Sequence, residues 1–382
     1  MNEPYLNAKH RMLRRTVQAF CREALGPIAA EIDREARFPW EVMEQMGRLG
    51  YFGIMVPEAL GGAGLDAISY AITIEEVSRV SGAIGLCLSV HNSVALDPIL
   101  SFGTPEQHQR WVPDLSAGNK IGAFCLTEPN AGSDAGAVTA TALTEGGFWN
   151  INANKVFVTN GGIADICLIF ARTDPAAGRK GISVVVAERG TKGFVVGDLE
   201  DLCGMRANPV TSIRLYDCRV PRENLLGPAG HGMAIGLAAL DKGRIGIAAQ
   251  ALGIAQAALD EAMRYANQRR QFGAPLAKHQ AIQMMIADMA TQVDAARLLV
   301  YRAAWLKDQG APLRKAAAQA KLFAAEAATL VTDLAVQIHG GYGYSKAYPV
   351  ERYYRDARVT RIYEGTSEVH RMVIAREVLD GH

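Results

Sequence analysis

Apolar and polar residues alternate in three different patterns along the chain, and these patterns predict how the chain is divided into helical and β regions. Up to about residue 120 the pattern predicts helices broken by turns. Thr104–Gln107 predicts one helix start, because Thr104 can cap, a proline suits the first helical position and Gln107 completes a capping box. From about 121 to 225, short runs rich in Val, Ile, Thr and Phe predict strands instead. Three of these runs are Lys155–Thr159, Ile182–Val186 and Ser212–Tyr216.

From about residue 231 onwards, apolar residues recur at intervals of three and four, as on one face of a helix. Three such stripes are Leu252, Ala255, Leu259, Ala262 and Ala266; Met285, Met289, Val293, Ala296, Val300 and Ala303; and Phe323, Ala327, Leu330 and Leu334. Alanine-rich helices can approach one another closely and suit an antiparallel bundle. We therefore expect a mostly helical α+β chain with an N-terminal helical domain at 1–120, a middle β domain at 121–230 and a C-terminal helical domain at 231–382.

Composition and charge narrow the possible functions. Apolar residues make up 49% of the chain and charged residues 21%, which is ordinary for a globular protein. The 40 basic and 39 acidic residues give a formal net charge of +1, so neither a nucleic acid nor an anionic membrane is expected as a partner. Uninterrupted apolar runs such as Met233–Leu240 are too short to span a bilayer, and we expect no membrane insertion.

The cysteines and histidines give no sign of a metal site. Six cysteines are scattered along the chain without a Cys-x-x-Cys pair, at positions 21, 87, 125, 167, 203 and 218. This spacing supports neither a zinc site nor a disulfide framework, and it favours a reducing compartment. The eight histidines are equally unclustered, so we expect no metal ligands among them.

One carboxylate near the C-terminus is a candidate for acid–base chemistry. Glu364 lies in Arg361–Glu368, between an apolar-aromatic pair and a Gly-Thr-Ser turn. Apolar neighbours disfavour an ionised carboxylate and raise its pKa, which suits a general base at neutral pH. The same Gly-Thr-Ser run, followed by apolar residues, is also what an ordinary helix start looks like. Taken alone, the segment leaves both interpretations open.

A second segment, Phe124–Asp134, favours the catalytic interpretation of Glu364 over that of an ordinary helix start. Its sequence FCLTEPNAGSD, together with YEGTSE around Glu364, resembles the signature pair of the acyl-CoA dehydrogenases, FAD enzymes that oxidise acyl-CoA thioesters. Arg269–Gly273 and Gln337–Gly341 resemble the remaining flavin contacts of that family. The resemblance extends from about residue 5 to 380 and implies a helical domain, a middle β-barrel or sandwich domain and a C-terminal four-helix bundle.

The resemblance implies a catalytic role for Glu364. It would be the base that removes the α-proton of the thioester, while the β-hydrogen leaves as hydride to the flavin and a trans-2-enoyl-CoA forms. Its backbone N–H and a flavin hydroxyl would hold the carbonyl oxygen. Some family members carry the base directly before an arginine in a helix, but in Leu240–Arg244 that position is Gly243. Glu364 is then the remaining candidate.

The resemblance also implies which residues would bind FAD. Those in and beside the β domain are Phe124, Leu126, Thr127, Gly132, Ser133, Phe157 and Thr159. Those reaching the cofactor of a neighbouring subunit are Arg269, Phe272, Gln280, Gln337, Gly340 and Gly341, and Thr366 and Glu368 lie beside the base. Such sharing implies a homotetramer, a dimer of dimers. Without the family, residues 127–133 are an ordinary surface turn and Arg269 a solvated charge. The family usually has Trp where Phe157 stands.

For the substrate, Asp241 and Arg244 resemble contacts to the CoA part, and Ser133 and Gly365 are further candidates. Asp241 and Arg244 could instead form a simple ion pair three residues apart on a helix. Ile245–Gln256 resembles the short-chain members of the family. The segment Ile84–Ile99 has no Arg or Lys to pair with a dicarboxylate, which disfavours a glutaryl substrate.

The family normally passes its electrons to an electron-transfer flavoprotein, which is therefore the expected partner. The expected location is the cytoplasm in a bacterium or the mitochondrial matrix in a eukaryote.

Three alternative functions remain. The first is an acyl-CoA oxidase, which passes electrons to oxygen but is usually much longer. The second is a flavin monooxygenase or nitroalkane oxidase on the same fold, against which Glu364 argues. The third is a helical binding protein without catalysis, which would not need these motifs together.

Overall fold

Helices form both ends of the chain and strands form its middle. The computed structural model describes residues 4–381, so the first three residues and the last one of the expected terminal domains lie outside it. The N-terminal helices are α1 (Ala8–Phe20), α2 (Ala29–Arg34), α3 (Trp40–Arg48), α4 (Ala67–Ser78), α5 (Gly82–Val90), α6 (Asp97–Phe102) and α7 (Pro105–Ser116). The predicted start of α7 is confirmed, because the Thr104 side chain accepts a hydrogen bond from the N–H of Gln107 at 3.3 Å.

The middle of the chain forms a single eight-stranded sheet. Its strands are β1 (Gly122–Cys125), β2 (Thr141–Glu145), β3 (Phe148–Val158), β4 (Ile166–Arg172), β5 (Ile182–Glu188), β6 (Phe194–Leu199), β7 (Thr211–Pro221) and β8 (Leu225–Leu226). The order is β6-β7-β3-β2-β4-β5-β8, with β1 parallel to β4 at its side. The three predicted strands are present within β3, β5 and β7. Thr159 is a correction, since β3 ends one residue before it.

The C-terminal part is built on three long helices. These are α8 (Gly232–Gln268), α9 (Gln280–Asp308) and α10 (Arg314–His339), followed by the short α11 (Val350–Val359) and α12 (Ser367–Leu379). A small hairpin of β9 (Arg270–Gln271) and β10 (Ala274–Pro275) joins α8 to α9. Helix α10 packs along α8 and also against α9.

The predicted stripes on α8 and α9 lie mainly in the core. The stripe on α10 lies at the edge of the core: Ala327 is buried, Phe323 and Leu334 are partly buried against the core, and Leu330 is exposed. Leu330 is 42% exposed, whereas Ala324, Ala328 and Val331 are fully buried. The reason is that α8 approaches the alanine face of α10, where small side chains allow close packing, so the larger residues of the stripe lie beside that face.

The N-terminal helices are tied to the bundle by buried polar contacts. Glu75 of α4 accepts hydrogen bonds from Arg297 and Tyr301 of α9. Asp308, at the end of α9, accepts from the N–H of Ala67 at the start of α4, at 2.8 Å. These contacts fix α4 to α9, and α4 also packs against α8. They thereby place Tyr70 of α4 beside that helix.

The helical stretch Gly82–Phe102 is long and apolar enough, by length and composition, to cross a membrane. However, 89% of its most apolar window is buried inside the protein. Core helices of globular proteins also satisfy this criterion. In this fold the stretch packs against α8 and contributes one wall of the space described below.

Candidate active site

Glu364 lies on a tight turn between α11 and α12. Its backbone has a positive φ of 51°, and Gly365 follows with a φ of 99°. A non-glycine residue in this region is uncommon and is held there by its surroundings. The turn leads directly into α12, where the side chain of Thr366 accepts a hydrogen bond from the N–H of Val369 at 3.3 Å. The segment is therefore both a helix start and the carrier of a buried carboxylate.

The carboxylate of Glu364 points into a space that exists because residue 243 has no side chain. Both of its oxygens are buried, and neither has a hydrogen-bond partner within residues 4–381. A Cβ atom on Gly243 of α8 would lie 2.4 Å from Oε2 of Glu364 and 2.8 Å from Cγ1 of Val94. The two positions at which a base was considered from the sequence thus face the same point. Glycine at 243 is what allows the carboxylate of Glu364 to occupy it.

The electrostatic surroundings bring this carboxyl group near neutrality. Burial raises the pKa of Glu364 to about 7, and the positive charges of Lys321 and Arg244 act in the opposite direction. A carboxylate with a pKa near the working pH can take up and release a proton in each cycle. This agrees in direction with the pKa expected from the apolar neighbours in the sequence.

Sequence reasoning missed Lys321. This residue is fully buried on α10, and its Nζ donates a hydrogen bond to the carbonyl oxygen of Gly365 at 2.6 Å. Burial lowers the pKa of Lys321 to about 7, while the charge of Glu364 acts to raise it. The available signal in the sequence was a lysine set in a long alanine-rich helix, which becomes informative only once the buried face of α10 is known.

Asp241 and Arg244 form the ion pair that the sequence left as an alternative to substrate binding. Nη1 of Arg244 donates to Oδ1 of Asp241, and Nε of Arg314 lies 3.4 Å from Oδ2 of the same carboxylate. Arg244 is buried and lies close enough to Glu364 to lower its pKa. The pair is therefore at the edge of the candidate site, and it remains available for either role.

A buried ion pair between Glu128 and Lys155, which the sequence analysis did not identify, anchors the loop from Phe124 to Ser133 on its buried side. Glu128 accepts hydrogen bonds from the N–H of Thr139 at 2.6 Å and from Nζ of Lys155 at 2.7 Å. Lys155 also donates to the carbonyl of Leu126 at 3.1 Å. These bonds fix the main chain of the loop while its tip stays exposed. Lys155 was assigned only to a strand in the sequence, and the pairing with Glu128 spans too many residues to be read from spacing.

The outer side of this loop is an open surface that a ligand could approach. Gly132 and Ser133 are exposed, and a Cβ on Gly132 would meet nothing within 4 Å. The N–H of Val156 donates to the carbonyl of Thr127 at 3.0 Å, which brings the end of β3 alongside. Phe157 follows with a φ of 52° and is 61% exposed, so its ring faces outward beside the loop.

A second group of predicted flavin contacts lies at the other end of α8. Arg269, Gly340 and Gly341 line a cleft of about 580 Å³ between the end of α8 and the end of α10. The guanidinium of Arg269 lies 5.6 Å from the centre of the Tyr342 ring. Phe272 on the β9–β10 hairpin is 96% exposed. Gln280 begins α9, Gln337 lies near the end of α10, and both are exposed.

This second group is far from Glu364 within one chain. Residues 243 and 268 lie in the same helix, so they are separated by about 38 Å at 1.5 Å per residue. The open surface around Gly273, Gly340 and Gly341, where a Cβ would meet nothing within 4 Å, fits a ligand that enters from outside the chain. The residues present are thus compatible with FAD, in two separate parts.

Comparison with known proteins decides the family. Models of the N-terminal, middle and C-terminal domains of acyl-CoA dehydrogenase match residues 7–119, 123–218 and 230–379. The chain belongs to the acyl-CoA dehydrogenase family. Members of this family are FAD-dependent oxidoreductases, and the family, enzyme class and cofactor predicted from the sequence are confirmed.

Relatives with assigned functions and solved structures agree on this. The dehydrogenase is 50% identical over 370 residues to the mitochondrial short-chain specific acyl-CoA dehydrogenase of Mus musculus, covering 97% of this chain and 90% of the relative. The butyryl-CoA dehydrogenase of Megasphaera elsdenii has 42% identity and a TM-score of 0.96, covering 98% and 99% of the two chains. A structure from work on the electron transferring flavoprotein of Acidaminococcus fermentans has 45% identity and a TM-score of 0.97, covering 98% of each. The predicted fold is confirmed.

Proposed function

We propose that this dehydrogenase oxidises short-chain acyl-CoA thioesters to trans-2-enoyl-CoA, with Glu364 as the general base. The observation that carries this proposal is the buried carboxylate of Glu364, which lacks a hydrogen-bond partner within the described chain and faces the space left by Gly243. A thioester α-hydrogen is weakly acidic, so its removal needs a positioned base that is not already occupied by other contacts. Dehydrogenation of acyl-CoA is also what the names of the relatives support.

The backbone around Glu364 offers a site for the carbonyl oxygen of the thioester. No acceptor for the N–H of Glu364 is found between residues 4 and 381, so this donor is free to stabilise the negative charge that develops on that oxygen. FAD, when bound, supplies the acceptor for the β-hydrogen as a hydride. The residues of this chain orient the thioester, exclude water and take up the α-proton.

For FAD, we propose that Phe124, Leu126, Thr127, Gly132, Ser133, Phe157 and Thr159 hold the flavin side, with Thr366 and Glu368 at the start of α12. The anchored loop and the outward-facing ring of Phe157 support this assignment. For the CoA part, we propose Asp241 and Arg244, with Ser133 and Gly365 as further contacts. Arg244 meets this role while it stays paired to Asp241, because an arginine has several donors.

A short acyl chain is supported by what fills the space next to Gly243. Gly246 lies three residues further along α8, about 4.5 Å away. A Cβ there would lie 2.1 Å from the hydroxyl oxygen of Tyr70 and 2.3 Å from Oγ of Ser89. Tyr70 and Ser89 are buried and share a hydrogen bond of 3.1 Å, so they close that side of the space. A long chain running from Glu364 along α8 would collide with this pair.

We expect Glu364→Gln to retain FAD and acyl-CoA binding but to lose about 10²–10⁴-fold in kcat/KM, because the amide keeps the shape and cannot accept the proton. In the wild type, kcat/KM should rise with pH through about 7, since Glu364 acts in its ionised form above its pKa. Steady-state kinetics with butyryl-CoA and a dye acceptor measure both. Glu200→Gln, at an exposed position, is the control. A Glu364→Gln enzyme with a tenth of wild-type activity would exclude Glu364 as the base.

We expect kcat/KM to be highest for acyl groups of four to six carbons, about tenfold or more above the C12 and C16 thioesters, because one extra methylene that does not fit a pocket alone costs about 10-fold or more. A panel of straight-chain and branched acyl-CoAs from C4 to C16, measured with the same dye acceptor, gives the ratio. Equal values for C4 and C16 would contradict the short-chain assignment.

We propose an electron-transfer flavoprotein as the electron acceptor, with docking near the exposed ring of Phe157. A neighbouring structure from work on such a flavoprotein supports this choice. The alternative is an oxidase, which would transfer the electrons to oxygen. Oxygen should be a poor acceptor here, because bound product excludes it from a dry site.

We therefore expect hydrogen peroxide to form slowly when butyryl-CoA is turned over in air without an added acceptor. Peroxide assays and the ferrocenium-coupled rate on the same enzyme preparation give the comparison. Peroxide production at a rate similar to the dye-coupled rate would favour the oxidase.

We propose a homotetramer in which a second copy of the chain completes the FAD site with Arg269, Phe272, Gln280, Gln337, Gly340 and Gly341. The separation of about 38 Å along α8 supports this, because one chain cannot bring both ends of that helix to the same flavin. The almost complete exposure of the apolar Phe272 also supports a partner at this end.

We expect Arg269→Ala to lower the FAD content and the melting temperature together, because cofactor binding and assembly are linked by mass action. Flavin absorbance per chain, thermal unfolding and sedimentation velocity measure the three quantities. Arg15→Ala, an exposed change on α1, should alter none of them. A wild-type protein that sediments as a monomer with full FAD would contradict the shared site.

Three domains at 1–120, 121–230 and 231–382 remain our proposal, and the family matches at 7–119, 123–218 and 230–379 support boundaries near these positions. We also propose a bacterial cytoplasm or a mitochondrial matrix as the location, since relatives are found in bacteria and in mitochondria.

All six cysteines lie in the described part of the chain, and none of them forms a disulfide bond there.

A further inference from the structure

Lys321 is an unusual residue for its position in the fold. It is fully buried on the face of α10 that is otherwise made of alanines such as Ala320 and Ala324. Burying an ammonium group is costly unless hydrogen bonds or an opposite charge compensate it. Its Nζ donates at 2.6 Å to the carbonyl oxygen of Gly365, the residue after Glu364. A lysine retained at this cost points to a role at the neighbouring turn.

The hydrogen bond from Lys321 holds the turn from outside. Glu364 has a positive φ, and a residue other than glycine keeps this conformation only where the surroundings fix it, whereas Gly365 adopts its positive φ without strain. Two other bonds that fix the turn come from its own segment: the N–H of Ser367 donates to the carbonyl of Arg361 at 3.1 Å, and Thr366 caps α12. Lys321 instead connects the turn to α10, the helix that packs against α8.

The charges around Glu364 distinguish Lys321 from its neighbours. From α8, Arg244 faces the carboxylate, but it is paired with Asp241. From α12, His370 is buried, and burial together with the two cations lowers its pKa to about 3, so it is neutral. Tyr70 of α4 and Tyr363 are kept uncharged because burial raises their pKa values.

Lys321 differs from Arg244 in the group to which it donates its hydrogen bond. Its hydrogen bond goes to a neutral carbonyl, so its charge is not cancelled by the group that it binds. Glu364, Glu326 and Glu368 are the carboxylates whose charge acts on Lys321, and Glu364 has the largest effect. Among these carboxylates, the positive charge of Lys321 on α10 therefore interacts most strongly with Glu364.

We propose that Lys321 is a positioning residue for the catalytic base: it fixes the Glu364–Gly365 turn through the Gly365 carbonyl and provides the counter-charge that keeps Glu364 ionised in a dry site. This rests on the proposed role of Glu364. The direction of the expected pKa shift of Glu364 follows from the positive charge of Lys321. Protonated Lys321 lowers the pKa of Glu364, and ionised Glu364 in turn raises the pKa of Lys321, so each group favours the charged form of the other. Removal of the lysine therefore raises the pKa of Glu364, and the rise of kcat/KM with pH moves to higher pH.

The test compares three substitutions at one position. Lys321→Met removes the charge and the donor, Lys321→Gln removes the charge and keeps a donor, and Lys321→Arg keeps both. We expect the midpoint of kcat/KM against pH to move up by about one unit or more in the Met and Gln variants and to stay near the wild-type value in the Arg variant. The exposed Lys192→Met is the matched control and should leave the midpoint unchanged.

A second readout does not depend on turnover. The infrared carbonyl band of protonated Glu364, identified by its loss in Glu364→Gln, should persist to higher pH in the Met and Gln variants by the same shift. FAD content and melting temperature are measured alongside. A variant that loses activity equally at every pH, with an unmoved infrared titration, would show a purely structural role and overturn the inference.

The outcomes separate this inference from the proposed function. If Glu364→Gln remains active, the base assignment fails whatever the Lys321 variants do. If Glu364→Gln is inactive but the midpoints of all three Lys321 variants equal that of the wild type, only the role of Lys321 is overturned. Should Lys321→Met fail to fold, the comparison of Lys321→Gln with Lys321→Arg still decides, because both keep a hydrogen-bond donor for Gly365.

Discussion

A carboxylate held away from water, with no hydrogen-bond partner among residues 4–381, is the constraint on which the rest of this site depends. Removing such a group from water is costly unless it becomes neutral or meets an opposite charge. Glu364 lies between these two outcomes, because burial raises its pKa to about 7 while Lys321 and Arg244 act to lower it. The left-handed turn, the glycine at 243 and the lysine on α10 are all consequences of placing that one group at that one point.

The sequence was sufficient for the order of helices and strands, because this order depends on local patterns. The capping box at Thr104 and the β-rich runs of the middle region depend on neighbours a few residues away, and they are found where they were predicted. The centre of the buried face of α10 was not predictable in the same way, and the predicted stripe lies beside it. The apolar residues of α10 cover a wide arc, and the choice between leucines and alanines was made by the close approach of α8, which no local pattern records.

The candidate site was predictable only as far as its motifs extend. Glu364 and the Phe124–Ser133 loop lie within short, family-like segments, so they could be named from the sequence. The groups that support them come from elsewhere: Lys321 reaches Gly365 from another helix, and Lys155 reaches Glu128 from a neighbouring strand. A buried lysine becomes meaningful only when the atoms facing it are known, since most lysines are solvated.

Two buried lysines of this fold, Lys155 and Lys321, are held in similar ways. Each is buried and donates to a main-chain carbonyl, but Lys155 also binds the carboxylate of Glu128, whereas Lys321 acts on Glu364 through its charge. They differ in whether the carboxylate is satisfied. Burial acts to raise the pKa of Glu128, but the charge of Lys155 and the hydrogen bonds from Lys155 and Thr139 lower it and keep Glu128 a fixed structural anion. Glu364 accepts none within the described chain, so its proton stays exchangeable. A close positive charge together with several donors therefore makes one buried carboxylate an anchor, while the lack of donors within the described chain leaves the other free to act as a base.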